Sequence, residues 1–235
     1  MSRLATAVRG DLLLQWRFGL VAAGAVVMLT VSALLWPLDL APIGFAIPAF
    51  VLGNLTVTAF FFAAAMVLFE KDDGTLEALV VTPLRVGEYL ASKVLTLTLL
   101  AVIETVLIVA IAYPGPIALV PLITGSIAAA AAYVLFGFAV VARYDSVTDL
   151  LFPAVLVNAL WLFPILGSLE IVDSAILYAH PVRAMLVWVE ATIRPLSGTE
   201  WAYAVGYSSL TIAVLYRVAH RAFVRFVIRA HGARP

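Results

Sequence analysis

Six stretches of this 235-residue chain, roughly 18–36, 45–69, 93–113, 117–141, 149–168 and 201–220, are apolar over about the 20 residues that a helix needs to cross a bilayer. No other feature narrows the choice of fold so far. Soluble chains carry about 25% charged residues; here the figure is 12%. The solvent of this chain is therefore lipid, and the expected fold is an all-α integral membrane protein with six transmembrane helices. Arginines precede the first stretch, as in a signal peptide. It is too long for the apolar core of one, and five more stretches follow, so it reads as a retained anchor.

The positions of the charges then orient the spans. Net formal charge is zero, from 14 basic and 14 acidic residues. Twelve of the basic residues fall on one side of the expected topology: Arg3, Arg9 and Arg17 before the first span; Lys71, Arg85 and Lys93 after the second; Arg143 after the fourth; Arg217, Arg221, Arg225, Arg229 and Arg234 at the C-terminal end. The other side has only Arg183 and Arg194. Positive residues mark the cytoplasmic side, which puts both termini in the cytoplasm of a multi-pass protein of the cell membrane. Within residues 1–17, Leu4, Val8, Leu12 and Trp16 recur every four residues, with Arg3, Arg9, Gln15 and Arg17 around the rest of the helix. That pattern suits a helix lying in the membrane interface; a frayed tail is the alternative.

Segment 169–200 is too polar to span freely and too apolar for an ordinary loop. Ile176, Leu177, Met185, Leu186, Trp188 and Val189 need burial, and Pro181 and Pro195 interrupt the chain. Two short re-entrant helices are expected, near 170–179 and 182–193, shielded by the rest of the protein; a surface amphipathic loop is the alternative. At 217–235 the arginines four apart make a basic helical stripe. It suits anionic membrane lipids, or else a cytoplasmic partner.

One segment breaks the apolar pattern. In "FEKDDGTLEALVVTPLRVGEYLASK", residues 69–93, eight charged residues crowd together. Asp72-Asp73-Gly74 is expected to end the second span, with Gly74 permitting a backbone reversal. Thr75 then caps a short helix in which Leu76, Leu79 and Val80 form one apolar face. Thr82-Pro83 stops it, because a residue before proline avoids the helical region. Thr82 and Pro83 are expected to start the next helix as N-cap and first residue. The result is a short helix slung across two spans with a leucine-rich exposed face, which suits docking to another protein.

The same segment resembles the cytoplasmic signature of ABC-2 type permeases, the membrane subunits of ATP-driven exporters. Glu70-Lys71, Gly74-Thr75-Leu76-Glu77, Leu79, Thr82-Pro83-Leu84, Glu88-Tyr89 and Ser92-Lys93 match that signature in order and spacing. "AHPVRAMLVWVEATI" resembles the proline-started segment before the family's last span, and "SVTDLL" with the region around 60–93 resembles the fluoroquinolone export permeases, a subgroup. The resemblance covers nearly the whole chain. It implies the ABC-2 (type V exporter-like) permease fold, and a coupling helix at 75–81 that docks on an ATPase subunit through Glu70, Gly74, Thr75, Leu76, Glu77, Leu79, Val80, Thr82 and Pro83. It also implies a second permease half, identical or related. Only about eight residues join spans one and two, so the large external domain of some family members has no counterpart. No Gly-x-x-x-x-Gly-Lys-Ser/Thr loop occurs. ATP and Mg are therefore expected on the partner subunit, with no cofactor held by this chain. Nothing points to nucleic acid.

Candidates for the substrate path are polar or aromatic residues within spans: Asn54, Thr58, Phe61, Phe62, Glu104, Asn158 and Trp161. Glu104 is the one acid deep within a span, where charge costs about 2.5–3.5 kcal/mol on insertion scales. It reads as a substrate or proton contact, or as a protonated packing residue. The asparagines serve equally as interhelical hydrogen-bond formers, and the aromatic residues as core. A secondary transporter or channel built on Glu104 is the alternative function. An intramembrane protease is disfavoured, because His180 lies on the outer side, His220 and His231 lie in the tail, and cysteine is absent.

Overall fold

The computed structural model describes residues 3–37, 41–76, 84–113, 115–169, 171–172 and 174–228. They form helices and turns with no strand among them. In chain order the helices are α1 (Arg3–Arg17), α2 (Leu20–Leu35), α3 (Gly44–Asp72), α4 (Val86–Ala112), α5 (Leu119–Val141), α6 (Val147–Leu162), α7 (Ile165–Ser168), α8 (Pro181–Glu190) and α9 (Gly198–Phe223). Three of them, α3, α4 and α5, are long and apolar enough to cross a membrane, and the α1–α2 pair makes a fourth if counted as one bent span. Helix α6 is apolar but has 16 residues, with Pro153 inside it.

Polarity is arranged inside out. On α4 the outward stripe is Leu95, Leu99, Ile103, Leu107 and Ile111, all exposed, while Ser92, Lys93, Thr96, Glu104 and Thr105 on the same helix are buried. Water would favour the reverse. The observed arrangement suits a lipid solvent, in which tails would wet the leucines and polar groups would turn inward. Helix α5 sits in the centre, packed on α4, α9, α3 and α8. Close approach there depends on glycine: a Cβ on Gly137 would lie 2.7 Å from the carbonyl oxygen of Phe60. That carbonyl belongs to a π-helical turn, Thr56–Phe61, that interrupts α3.

Helix α1 leaves α2 at 61°, at Gly19, whose φ of 73° places it in the left-handed region that favours glycine. The amphipathic reading of α1 holds for Leu12 and Trp16, which face outward. Gln15, assigned to the polar exterior, is instead buried beside α4 together with Asp11. Gly74 has a φ of 68° and ends α3 by the expected reversal. The next helix starts later than Thr82-Pro83 predicts. Leu84 and Arg85 are non-helical and α4 begins at Val86, because Glu88 accepts a hydrogen bond from the Arg85 N–H at 2.9 Å and supplies the cap. Thr82 and Pro83 lie outside the described residues.

The two short helices expected within 169–200 are a 3-10 turn at Ala175–Ala179 and α8. His180 caps α8 through Nδ1, and Pro181 is its first residue. Helix α8 is enclosed by α3, α5 and α9, which bury Met185, Leu186 and Val189. Ile176 departs from expectation: it is 75% exposed, because the tight turn directs only Leu177 inward.

Candidate functional site

The end of the bundle that carries the 77–83 segment is held by a buried charge cluster. Its centre is Lys93, in the second turn of α4, with 0% exposure. A lysine ammonium survives there only if paired. Lys93 Nζ pairs with Asp11 Oδ1 of α1 at 2.5 Å and with Glu70 Oε1 of α3. The remaining carboxylate oxygens are satisfied by hydroxyls: Tyr89 donates to Glu70 Oε2 and Ser92 to Asp11 Oδ2, each at 2.5 Å. Tyr89 also lies beneath the Lys93 ammonium, 5.1 Å from ring centroid to Nζ, and stacks on Phe223 of α9 at 4.8 Å. Four helices (α1, α3, α4 and α9) thus meet at one cluster.

Further bonds fix the end of α3. Lys71 donates to the carbonyls of Ala142 and Tyr144, at 3.4 and 2.6 Å, and pairs with Asp145 at 3.0 Å. Its charge therefore caps the C-terminus of α5, where it complements the helix dipole. Arg17 pairs with Asp73 at 3.1 Å, and the Thr75 hydroxyl donates to the Glu70 carbonyl at 3.0 Å. The Glu-Lys-Asp-Asp run thus sends Glu70 into the core, Lys71 to the loop after α5, and Asp73 to α1.

Among the expected docking residues, Glu70 is buried in the cluster, Gly74 makes the reversal, and Thr75 bonds back to Glu70. Leu76 differs from the expected exposed face: it is 3% exposed and packed in the main hydrophobic core. Glu77, Leu79, Val80, Thr82 and Pro83 lie outside the described residues, and the expected coupling helix over 75–81 reaches the described residues only at its first two positions.

The residues proposed for a substrate path do not converge on one place. Asn54 Nδ2 donates to Thr105 Oγ1 at 3.1 Å, and Thr58 donates to the Asn54 carbonyl at 3.2 Å, linking α3 to α4 next to the π turn. Phe61 belongs to an aromatic row with Phe60, Phe136 and Trp161: Phe60 contacts Phe61 at 5.1 Å and Phe136 at 5.4 Å, and Phe136 stacks on Trp161 at 4.3 Å. Asn158, on α6, donates to the Ala154 carbonyl within its own helix at 2.9 Å. Phe62 is core. Glu104 stands apart from all of these. It is 4% exposed, neither carboxylate oxygen has a hydrogen-bond partner, and a Cβ on Gly24 of α2 would collide with its carboxyl group. Glycine at 24 thus makes the notch that admits Glu104 between α2 and α4.

Sequence reasoning missed Asp11, because an acid on an amphipathic helix reads as part of a solvated face. Tyr89, Ser92 and Lys93 stand out in the sequence only as members of the motif, which does not reveal their partners. A usable signal was present: Asp11 and Gln15 are polar residues four apart, hence on one helical face. No group of three or more His, Cys, Asp or Glu side chains is placed to hold a metal among the described residues.

Comparison with known proteins places this geometry in a family. Two fluoroquinolones export permease proteins of Mycobacterium tuberculosis, from strains CDC 1551 and H37Rv, are each 32% identical to this chain over 235 residues, covering 99% of it and 99% of their own length. The model of the fluoroquinolones export permease protein family matches residues 2–231. By both measures the chain belongs to the fluoroquinolones export permease family, whose relatives are named as permeases rather than enzymes.

Proposed function

We propose that this chain is the membrane-spanning permease subunit of an ATP-binding cassette exporter. On this reading α2, α6 and α9 span the membrane alongside α3, α4 and α5, both termini face the cytoplasm, and a second permease copy or a related permease completes the pathway. A separate ATPase subunit binds ATP and Mg and docks on the segment around 75–83. The cargo is hydrophobic or amphipathic, with fluoroquinolones the first candidates because the relatives are named for them.

The observation that carries the proposal is the Asp11–Lys93–Glu70–Tyr89 cluster. It ties together the two helices that flank the 77–83 segment. A push on that segment therefore acts on α1, α3, α4 and α9 as a unit. Buried ion pairs are weak evidence for stability but suit holding a register, and a coupling element needs a rigid register.

Co-purification with an ATPase subunit, together with drug efflux from cells, tests the reading. Leu79→Asp and Val80→Asp should abolish both, with the melting temperature measured alongside to check that the variants fold. Leu76→Asp is unsuitable, since Leu76 is buried and a charge there would destabilise the fold whether or not it docks. Association and efflux that survive both Leu79→Asp and Val80→Asp would remove the coupling role.

A second reading has one observation in its favour, the unpartnered carboxylate of Glu104. A secondary transporter would use that group to carry a proton. Uptake into proteoliposomes driven by a proton gradient without ATP, and lost in Glu104→Gln, would establish it in place of the exporter.

A further inference from the structure

We infer that Arg143 and Arg225 hold a phosphate group between them, at the same end of the bundle as the Lys93 cluster. Arg143 lies in the turn after α5, and Arg225 in a π-helical turn, Val224–Ile228, that continues α9. Both guanidiniums rest against a single ring. Their central carbons lie 5.7 Å and 5.1 Å from the centroid of Phe226.

One cation over one ring is an ordinary contact. Two on the same ring repel each other, and no acid among the described residues is paired with either. Five other cations are paired with acids: Arg17 with Asp73, Lys71 with Asp145, Lys93 with Asp11 and Glu70, and Arg183 and Arg194 with Glu190. Arg143, Arg217, Arg221 and Arg225 have no carboxylate partner among the described residues. The acids nearest to Arg143 in sequence are engaged, Asp145 with Lys71 at 3.0 Å and Asp149 with Ser146 at 2.7 Å.

A phosphate fits this arrangement. Its oxygens accept paired bonds from two guanidinium forks, which match phosphate geometry better than lysine does. There is room for the group that carries it: Arg225 also lines an open cavity of about 620 Å³ with His220, Arg221 and Val224. The source is an anionic phospholipid headgroup or free phosphate. In either case an occupied site would cross-link the loop after α5 to the end of α9.

Native mass spectrometry of the full-length protein in detergent micelles, titrated with phosphatidylglycerol, tests the site. Arg143→Gln and Arg225→Gln should each weaken binding about tenfold, the size of one charge-assisted hydrogen bond. The double variant should lose little beyond either single change, because the first removes the chelate. Arg217→Gln takes the same charge from the same helix and should change binding less than about twofold. Equal losses in all three single variants, adding up in the double, would mean diffuse attraction to a basic face and would overturn the site. Both arginines are exposed, so these variants should fold, and tryptophan-fluorescence melting checks that they do. Inorganic phosphate titrated into the same micelles separates the sources. Displacement of phosphatidylglycerol by phosphate assigns a free phosphate site; binding of lipid that phosphate does not displace assigns the headgroup. No difference between wild type and the two arginine variants with either probe refutes the inference.

Discussion

Replacing Lys93 with methionine removes the one cation between two buried carboxylates while keeping most of the side chain's volume. Asp11 and Glu70 then face each other across the gap with only the Ser92 and Tyr89 hydroxyls left. The cluster's formal charge falls from −1 to −2 in a site closed to water. Breaking a buried pair by removing one partner costs about 3–5 kcal/mol. At roughly 2–4 °C per kcal/mol for a chain of this size, melting should drop by about 10 °C. Tryptophan fluorescence is a suitable probe, with five tryptophans and no cysteine to label. The informative comparison is the triple variant Asp11→Leu, Glu70→Leu, Lys93→Met. Apolar groups of similar volume often replace a buried ionic triad at no cost, or with a gain of about 1–4 kcal/mol. The triple variant should therefore regain the melting temperature lost in Lys93→Met. If the cluster sets register for coupling, the triple variant will be stable and still deficient in efflux. A Lys93→Met protein that melts within about 1 °C of wild type would refute the reasoning, because it would show that no uncompensated carboxylate was left behind.

Three further outcomes are expected. Gly137→Ala should destabilise by about 1–3 kcal/mol, as overpacking does, since the clash is with the Phe60 backbone oxygen and no rotamer change relieves it; thermal melting measures it. Gly24→Ala should also destabilise, but Glu104→Ala in the same chain should reverse most of the loss, because the three atoms nearest the new methyl group all belong to the Glu104 side chain; a double-mutant cycle measures the coupling. At the start of α9, the Arg194 hydrogen bond, followed by the Ser197 backbone and hydroxyl, holds the Glu200 carboxyl at about 2, well below its usual 4.5. Its stabilisation is then complete above about 4.5 and is lost as pH falls towards about 2. The melting difference between wild type and Glu200→Gln should be constant from pH 8 to 5 and shrink below that, and a difference that grew on acidification would contradict the assignment.

Much of the fold was legible because its causes are local. Apolar runs, proline at 181, and Asp72-Asp73-Gly74 act through neighbours within a turn, and the helices, the start of α8 and the reversal at Gly74 follow from them. The start of α4 was misplaced for an equally local reason: the Glu88 carboxylate outcompeted the Thr82-Pro83 signal. The candidate site was legible only as a motif. "EKDDGTLEALVVTPLRVGEYLASK" drew attention to Glu70, Tyr89 and Lys93, but nothing in their spacing says that Glu70 turns to Lys93 while Lys71 turns to the loop after α5.

What the sequence determined by itself is the kind of solvent this protein meets and where its helices begin and break, since hydropathy and capping depend on residues a few positions apart. Tertiary structure alone decided that Asp11 meets Lys93, 82 positions away, and that Glu104 fits into a notch opened by Gly24. It also decided that α8 is enclosed by α3, α5 and α9. Such pairings depend on which faces of different helices come together. A charge on one helix does not reveal its partner until the packing of the whole bundle excludes water and leaves a single counter-charge within reach.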